Sequence, residues 1–139
     1  AIRVVFELAR MGDLAAHVAK IARLRFPESA VPDSLRENFS RMSEVCLAMI
    51  RLANQSLKDR DAVAALRMAE IDHEMDHLRR DHFGVLLGEN WSGSVEQAID
   101  VALLGRYFER FADHAVAVAR RVIYIITGQF PEGEEWPNA

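Results

Sequence analysis

The sequence predicts an all-α fold, an antiparallel three-helix bundle preceded by one additional helix. Half of the 139 residues are apolar, only 8% are aromatic, and glycine and proline are concentrated in a few short segments. Apolar residues recur at spacings of three and four over long stretches, which is the period of an amphipathic helix. This length is sufficient for one domain with a substantial core, so no second globular unit is required.

An internal repeat relates the first predicted helix to the last. Residues 1–26 align with residues 101–126 at an offset of one hundred, and their apolar positions fall in register. Identical residues at this offset are Arg10 and Arg110, Asp13 and Asp113, Ala15 and Ala115, Val18 and Val118, and Ala19 and Ala119. The chain therefore contains one helix type twice.

The first two helices are separated by a proline-containing linker. Helix 1 is predicted over about residues 1–25, because the residue before Pro27 is disfavoured in the α conformation. Helix 2 is predicted to begin at Ser34, which forms a capping box with Glu37, and to end near residue 58.

The last two helices form a hairpin around a glycine-containing loop. Helix 3 is predicted over about residues 61–87, and the loop 88–93 follows it. Ser94 and Gln97 supply a second capping box, which opens helix 4. This helix is predicted to reach residue 128, and the polar tail 129–139, with Trp136, is predicted to be flexible.

Short connections require neighbouring helices to be antiparallel, so residues 33–128 are predicted to form an up-down-up bundle. Helix 1, residues 1–26, is left without a partner in that bundle. Its apolar seam includes Val4, Met11 and Val18. We expect another copy of the chain to cover this seam, which predicts a homo-oligomer, most simply a dimer.

Composition excludes several classes of protein. The net charge of −4 argues against a nucleic-acid partner. Cys46 is the only cysteine and lies on an apolar face, which predicts a buried thiol in a reducing, cytoplasmic setting. The sequence contains no apolar run of about eighteen residues, so it predicts no membrane span. The chain opens within a helical pattern and without Met, so we expect it to be the later part of a longer protein.

Two acidic pairs lie beside the apolar seams of the last two helices. Asp72 and Asp76 belong to helix 3, and Glu109 and Asp113 belong to helix 4. Counted from the hairpin, the pairs lie at similar heights, roughly 18 and 22 Å from its tip. We expect all four to face solvent. An accessible stripe of small residues is predicted beside the helix 4 pair, formed by Ala102, Gly105, Ala112 and Val116.

Four neighbouring carboxylates repel one another, so a positive charge must neutralise them. One possibility is a cation such as Fe, Mn, Mg or Zn, for which carboxylate oxygens are suitable ligands. The other is a solvated face on which arginines at helical spacing pair with the acids, namely Arg79, Arg80, Arg106 and Arg110. Spacing alone favours the arginines.

The histidines allow an enzymatic alternative, a carboxylate-bridged di-iron oxidase or hydrolase. Glu70 with His73, and Glu74 with His77, have the Glu-x-x-His spacing of di-iron bundles, although such bundles place the motif on two helices. The other histidines are assigned ordinary roles: His17 exposed one turn from Asp13, His82 a hydrogen-bonded core residue, and His114 facing the surface. No phosphate-binding loop or nucleophile elbow is present.

Three segments of the chain carry a family resemblance. Two are the repeated segments Leu8-Ala9-Arg10-Met11-Gly12-Asp13-Leu14-Ala15 and Phe108-Glu109-Arg110-Phe111-Ala112-Asp113-His114-Ala115, and the third is Ile71-Asp72-His73-Glu74-Met75-Asp76. Together they resemble the PhoU family of phosphate-uptake regulators. The resemblance implies two three-helix repeats, of which this sequence carries the last helix of the first and all of the second. It also implies surface metal binding by Asp72, Asp76, Glu109 and Asp113. Asp13 would be the first-repeat remnant, but Ala9 stands where that repeat's motif has an acid.

The resemblance further implies a function without turnover chemistry. Family members are cytoplasmic adaptors between a phosphate ABC transporter and a sensor histidine kinase. In this chain the acidic and basic faces, with Arg106 and Arg110, would then form a docking surface, and bound metal would stiffen it. A helical interaction module that binds no metal is the remaining interpretation.

Overall fold

The computed structural model describes residues 2–131. Its helices are α1 (Ile2–Arg25), α2 (Arg36–Asp59), α3 (Ala62–Leu87) and α4 (Val95–Thr127), with one 3₁₀ turn at Asp33–Leu35. No strand occurs in that part of the chain, so the predicted all-α fold is confirmed. The predicted tail beyond residue 131, with Trp136, lies outside the described residues.

Helices α2, α3 and α4 pack into one antiparallel bundle. The Asn38 amide on α2 donates to the Leu78 carbonyl on α3, 2.9 Å away, and Arg41 pairs with Glu74 one turn further along. Because residue numbers rise on one helix as they fall on the other, the two run in opposite directions. The core between the three helices is rich in methionine and includes Met42, Met49, Met68, Met75, Val101 and Val118.

Side-chain caps define the beginnings of two helices. Asp61 accepts hydrogen bonds from the backbone N–H groups of Val63 and Ala64 and so begins α3. Ser94 and Gln97 form both bonds of the predicted capping box at α4. Between α2 and α3, Arg60 adopts a left-handed conformation with φ 50°, which allows a two-residue connection.

The capping box predicted for Ser34 and Glu37 is wrong. Ser34 lies inside the 3₁₀ turn, and Leu35 takes the N-cap position of α2 without any side-chain hydrogen bond. The Leu35 N–H instead bonds to the Pro32 carbonyl at 3.0 Å. The chain therefore enters α2 through a backbone turn, in which Leu35 is buried.

Helix α1 packs antiparallel against α4 of the same chain. Val4 and Met11 are buried there, and Leu8, Val18 and Ile21 pack partly against the core. The expectation that α1 finds no partner within this chain is therefore wrong. Its opposite side remains exposed and carries large apolar residues, among them Ile2, Val5, Phe6 and Leu24.

The lone thiol belongs to the core, as predicted. Cys46 is buried beside the Phe108 carbonyl, and burial raises its pKa to about 12, so the thiol stays protonated and unreactive. None of the helices within residues 2–131 combines the length and apolarity that crossing a membrane requires.

Candidate functional site

Small residues of α4 allow it to approach α3 closely. Gly105, Ala112 and Val116 are buried, and a Cβ added to Gly105 would lie 2.4 Å from the His82 ring. The prediction of an accessible stripe is therefore wrong at these three positions. The stripe instead forms the α3–α4 interface, because glycine and alanine leave room for the side chains of the neighbouring helix.

The four carboxylates lie along this interface at different depths. Asp72 is only 7% exposed, and the Glu109 side chain is 14% exposed. The Asp113 side chain is 40% exposed, and Asp76 is exposed. The prediction that all four face solvent is correct for Asp76 and wrong for Asp72. Asp72 lies beside the apolar face of α3, and α4 packs over this position and covers it.

The acids influence one another electrostatically. Burial, followed by the charges of Asp76 and Asp113, raises the pKa of Asp72 to about 6. Burial and the charge of Glu109 also raise the pKa of Asp113. The charges of Asp113 and Glu109 act on Asp72 from α4 to α3, so the structure brings the two predicted pairs close together.

Arginines satisfy part of the cluster. Arg79 Nη1 of α3 lies 2.5 Å from Glu109 Oε1, and Arg106 Nη1 of α4 lies 2.7 Å from Glu109 Oε2. Arg110 lies further from Asp113, at 3.5 Å. Arg80 approaches His77 rather than a carboxylate. The arginine arrangement considered from the sequence is thus present for Glu109 and, more loosely, for Asp113.

Asp72 is the buried acid of the cluster that no arginine contacts. No residue between positions 2 and 131 forms a hydrogen bond or ion pair with its carboxylate. Over the same range, no three acidic, imidazole or thiolate groups are gathered so that they could hold a metal ion. Glu109 is turned towards its two arginines instead. Metal binding by Asp72, Asp76, Glu109 and Asp113 stays a prediction. Of the two acids without a hydrogen-bond or ion-pair partner in this part of the chain, Asp72 is buried and Asp76 is exposed.

The residues of the di-iron alternative lie on another side of α3. Glu70, His73 and His77 are exposed, and Glu74 is bound by Arg41 of α2 at 2.5 and 3.1 Å. A di-iron oxidase requires buried ligands around an open coordination position. These four side chains do not provide them.

The remaining histidines differ from one another. His17 is exposed, as predicted, and stacks on Tyr107 with ring centroids 5.2 Å apart. His114 is not surface-facing as predicted, because it is mostly covered and lies 2.5 Å from Glu7 of α1. Asp13 lies outside the cluster, exposed on α1 and 3.6 Å from Arg10.

His82 is buried, as predicted, but it is not hydrogen-bonded. Within residues 2–131 neither ring nitrogen has a hydrogen-bond partner. Burial lowers the pKa of His82. The nearby Leu78 carbonyl, which forms no hydrogen bond with the ring, partly opposes this shift. The ring is therefore neutral at pH 7 and fills the space that Gly105 leaves.

Sequence reasoning missed an ion pair that joins α1 to α4. Arg25 contacts both oxygens of Asp100, at 2.6 and 3.2 Å, and also approaches Glu96 at 3.1 Å. Asp100 is only 5% exposed. The available signal was the repeat itself: if its two helices pack antiparallel, the end of α1 must meet the beginning of α4.

Comparison with known proteins identifies the family. The family model for the PhoU domain matches residues 39–122, which is more than half of the chain. The chain belongs to the PhoU family. The match contains all four carboxylates, with Arg79, Arg106 and Arg110, whereas α1 and Asp13 precede it. No solved structure matches the chain.

Several curated proteins are similar to this PhoU chain, and each is named as a phosphate-specific transport system accessory protein. PhoU homolog 1 of Mycobacterium leprae (strain TN) is 44% identical over 139 residues, which are 100% of this chain and 63% of the relative. PhoU homolog 2 of Mycobacterium tuberculosis (strain ATCC 25618 / H37Rv) is 46% identical over 131 residues, 94% of this chain and 62% of the relative. The PhoU homolog of Zymomonas mobilis is 32% identical over 128 residues, 90% of this chain and 53% of the relative. The chain thus spans less than two thirds of these relatives.

Proposed function

We propose that this chain regulates phosphate uptake as a non-enzymatic cytoplasmic adaptor between a phosphate ABC transporter and a sensor histidine kinase. The observation that carries the proposal is the similarity, at 42–46% identity over 94% or more of the chain, to proteins named for a phosphate-specific transport system. The exposed Arg106 and Arg110 of α4 suit contacts with another protein. The di-iron alternative gains no support, since Arg41 binds Glu74.

The proposal includes a metal site formed by Asp72, Asp76, Glu109 and Asp113. The donor set consists of carboxylates, which suit Mg²⁺, Mn²⁺, Fe or Zn²⁺. Asp72 supports this assignment because it is only 7% exposed and forms no hydrogen bond or ion pair with any residue between positions 2 and 131. A bound cation would supply positive charge there and connect α3 to α4.

The proposed docking surface lies on α4 beside this cluster. Arg106 and Arg110 are exposed by 55% and 46% of their side chains, so each can reach a partner. Charged groups at such a surface govern the rate and specificity of association. We also propose that two copies associate through the exposed apolar side of α1, which includes Val5 and Phe6 near the beginning of the helix.

A binding assay tests the adaptor function. The purified chain is passed over the immobilised cytoplasmic part of the sensor kinase that governs the phosphate-starvation response of its own organism. The wild-type chain is expected to bind, and the double variant Arg106→Glu, Arg110→Glu to bind at least about tenfold more weakly, since charge reversal opposes a complementary partner.

The matched control is the double variant Arg3→Glu, Arg23→Glu. It changes the net charge equally, on exposed positions of α1. Equal weakening by both double variants would show that net charge, rather than the α4 surface, governs binding. Absence of binding by the wild-type chain would contradict the adaptor function itself. Sedimentation equilibrium of the chain and of a Phe6→Glu variant tests association through α1.

A further inference from the structure

Helices α1 and α4 share a surface on which a pair of stacked rings joins them. His17 of α1 is exposed and stacks on Tyr107 of α4. Arg10 precedes His17 by about two helical turns, and Arg110 follows Tyr107 by about one turn. Residues at these spacings share one face of a helix. Both arginines therefore lie on the side of the helix pair that carries the stacked rings.

The two arginines also lie at similar heights along the helix pair. Near the beginning of α1, Glu7 meets His114 of α4. Because the helices are antiparallel, moving forward from Glu7 and moving back from His114 lead in the same direction. Arg10 lies three residues along the first path and Arg110 four residues along the second, so their heights agree to within about one helical turn.

The internal repeat gives each arginine the same loose ion pair. Arg10 Nη1 lies 3.6 Å from Asp13, and Arg110 Nη1 lies 3.5 Å from Asp113. No residue between positions 2 and 131 forms a hydrogen bond with the other nitrogens of either guanidinium. Each side chain therefore keeps N–H donors that an additional carboxylate can bind.

Large apolar side chains continue this surface towards the end of α1. Leu24 follows His17 by about two turns, and Ile99 and Leu103 precede the stacked ring of α4 at helical spacing. These three residues are exposed by 70%, 54% and 41%. The ion pair between the end of α1 and the beginning of α4 holds Leu24 and Ile99 at the same height. Neighbouring exposed apolar residues with a polar border are typical of an interaction site.

We propose that the partner of the docking surface is an acidic amphipathic helix that lies across α1 and α4. Its carboxylates bind Arg10 and Arg110, and its apolar side chains pack on Leu24 and Leu103. The proposal rests on the proposed adaptor function and adds the chemistry of the partner. The surface, called the α1–α4 platform below, comprises Arg10, His17, Leu24, Ile99, Leu103 and Arg110.

Charge and dimensions favour a helix over a lipid surface. From Arg10 to Leu24 the platform is about 21 Å long, which about four turns of a partner helix would cover. Asp13 and Asp113 place a negative charge beside each arginine. An anionic membrane would be repelled by these acids, whereas a helix can present different side chains every three or four residues.

Binding to the immobilised cytoplasmic part of the sensor kinase tests the platform through two variants. Arg10→Glu reverses a charge on α1 and is expected to weaken binding at least about tenfold, although Arg106 and Arg110 are unchanged. Leu103→Ser removes an apolar contact and is expected to weaken binding about fivefold or more. Circular dichroism checks that each variant retains its helix content.

Each variant has a matched control that should change binding less than about twofold. Arg23→Glu makes the same charge reversal at an exposed position roughly 140° around α1 from Arg10. Leu66→Ser makes the same apolar-to-polar change on α3, where the leucine is 50% exposed. If the wild-type chain binds the kinase and each variant binds as its control does, the platform is overturned and the adaptor function stands.

A synthetic peptide separates the platform from the adaptor function. The probe is a helical peptide of about four turns, with glutamates in its middle turns and leucines in its last turn. It is titrated into the isotope-labelled chain, and amide chemical shifts are recorded by nuclear magnetic resonance. We expect the largest shift changes at the platform residues and their loss in Arg10→Glu.

The peptide and kinase results have distinct meanings. Shift changes at the platform without kinase binding by the wild-type chain would support the platform and contradict the adaptor function. Shift changes confined to α2 and α3, or none at peptide concentrations up to about 1 mM, would overturn the platform.

Two further measurements distinguish other occupants of the same surface. Binding to phosphatidylglycerol vesicles that is lost in Arg10→Glu would identify a membrane surface as the partner. A lower mass of Arg10→Glu than of the wild-type chain in sedimentation equilibrium would identify a second copy of the chain. Either result would overturn the acidic helix as the partner.

Discussion

The two copies of the repeated helix have the same pattern and different surroundings. Ala115 and Ala119 of α4 are completely buried, whereas Ala15 and Ala19, their equivalents on α1, are exposed. Helix α4 contacts each of the other three helices, and α1 packs chiefly against α4. The apolar stripe of a sequence therefore indicates which face of a helix can be buried. The neighbouring helices determine how much of that face is buried.

The acids of the two helices differ in the same way. Asp113 of α4 is partly covered, and burial raises its pKa, whereas Asp13 of α1 is exposed beside Arg10. One turn before these residues α4 has Glu109, held by two arginines, and α1 has Ala9. The two helices therefore share their apolar pattern, but only α4 carries the acidic pair and its arginine contacts.

A buried charge gives the largest expected difference between the two copies. Ala119→Glu would place an unpaired carboxylate in the core and lower the free energy of unfolding by about 3 kcal/mol or more. Ala19→Glu, at the equivalent exposed position, should change it by less than about 0.5 kcal/mol. Urea denaturation followed by circular dichroism measures both. Similar losses would mean that α1 is as well covered as α4.

Two glycines should respond with opposite signs. Gly105→Ala brings a methyl group against the His82 ring and is expected to destabilise the chain by about 1–3 kcal/mol. Gly12→Ala meets open space on α1 and should stabilise it by about 0.5–1 kcal/mol, because alanine is the better helix former. Thermal unfolding distinguishes the two. A stabilising Gly105→Ala would contradict the close α3–α4 contact.

The pH dependence of stability tests the burial of Asp72. Its pKa of about 6 exceeds that of an unfolded Asp, so the folded chain binds the proton more tightly. Between about pH 4 and pH 6 the free energy of unfolding should therefore fall as pH rises, by about 1–2 kcal/mol for this group, and the loss persists at higher pH.

Asp72→Asn removes that contribution. In the presence of EDTA, the free energy of unfolding of this variant should equal that of the wild type near pH 4. At pH 7.5 it should exceed the wild-type value by about 1–2 kcal/mol. Asp13→Asn is the control on α1, where an exposed ion pair contributes little at any pH. A constant difference between Asp72→Asn and wild type across this pH range would show that Asp72 titrates like an exposed acid.

Local signals predicted most of the element boundaries. Pro27, Ser94 and Gly128 mark helix ends because each acts on the backbone within a few residues of itself. Proline restricts the residue before it, and serine caps the first turn of the helix that follows. Glycine adopts a left-handed conformation, with φ 77° at Gly128. Ser34 has the same spacing to an acceptor residue as Ser94, but the capping box predicted there does not form. Burial of Leu35 favours a 3₁₀ turn there, and that burial depends on packing.

The sequence by itself determined the four helices, the antiparallel order of the last three, and the common level of two acidic pairs. These features follow from a period of about 3.6 residues and from short loops, which are properties of neighbouring residues. Only the tertiary structure decided that Asp72 is covered, that Arg79 reaches Glu109, and that α1 packs along α4. The physical reason is that helical periodicity gives the direction of a side chain around its own axis, while exposure and pairing depend on which other helix lies in that direction.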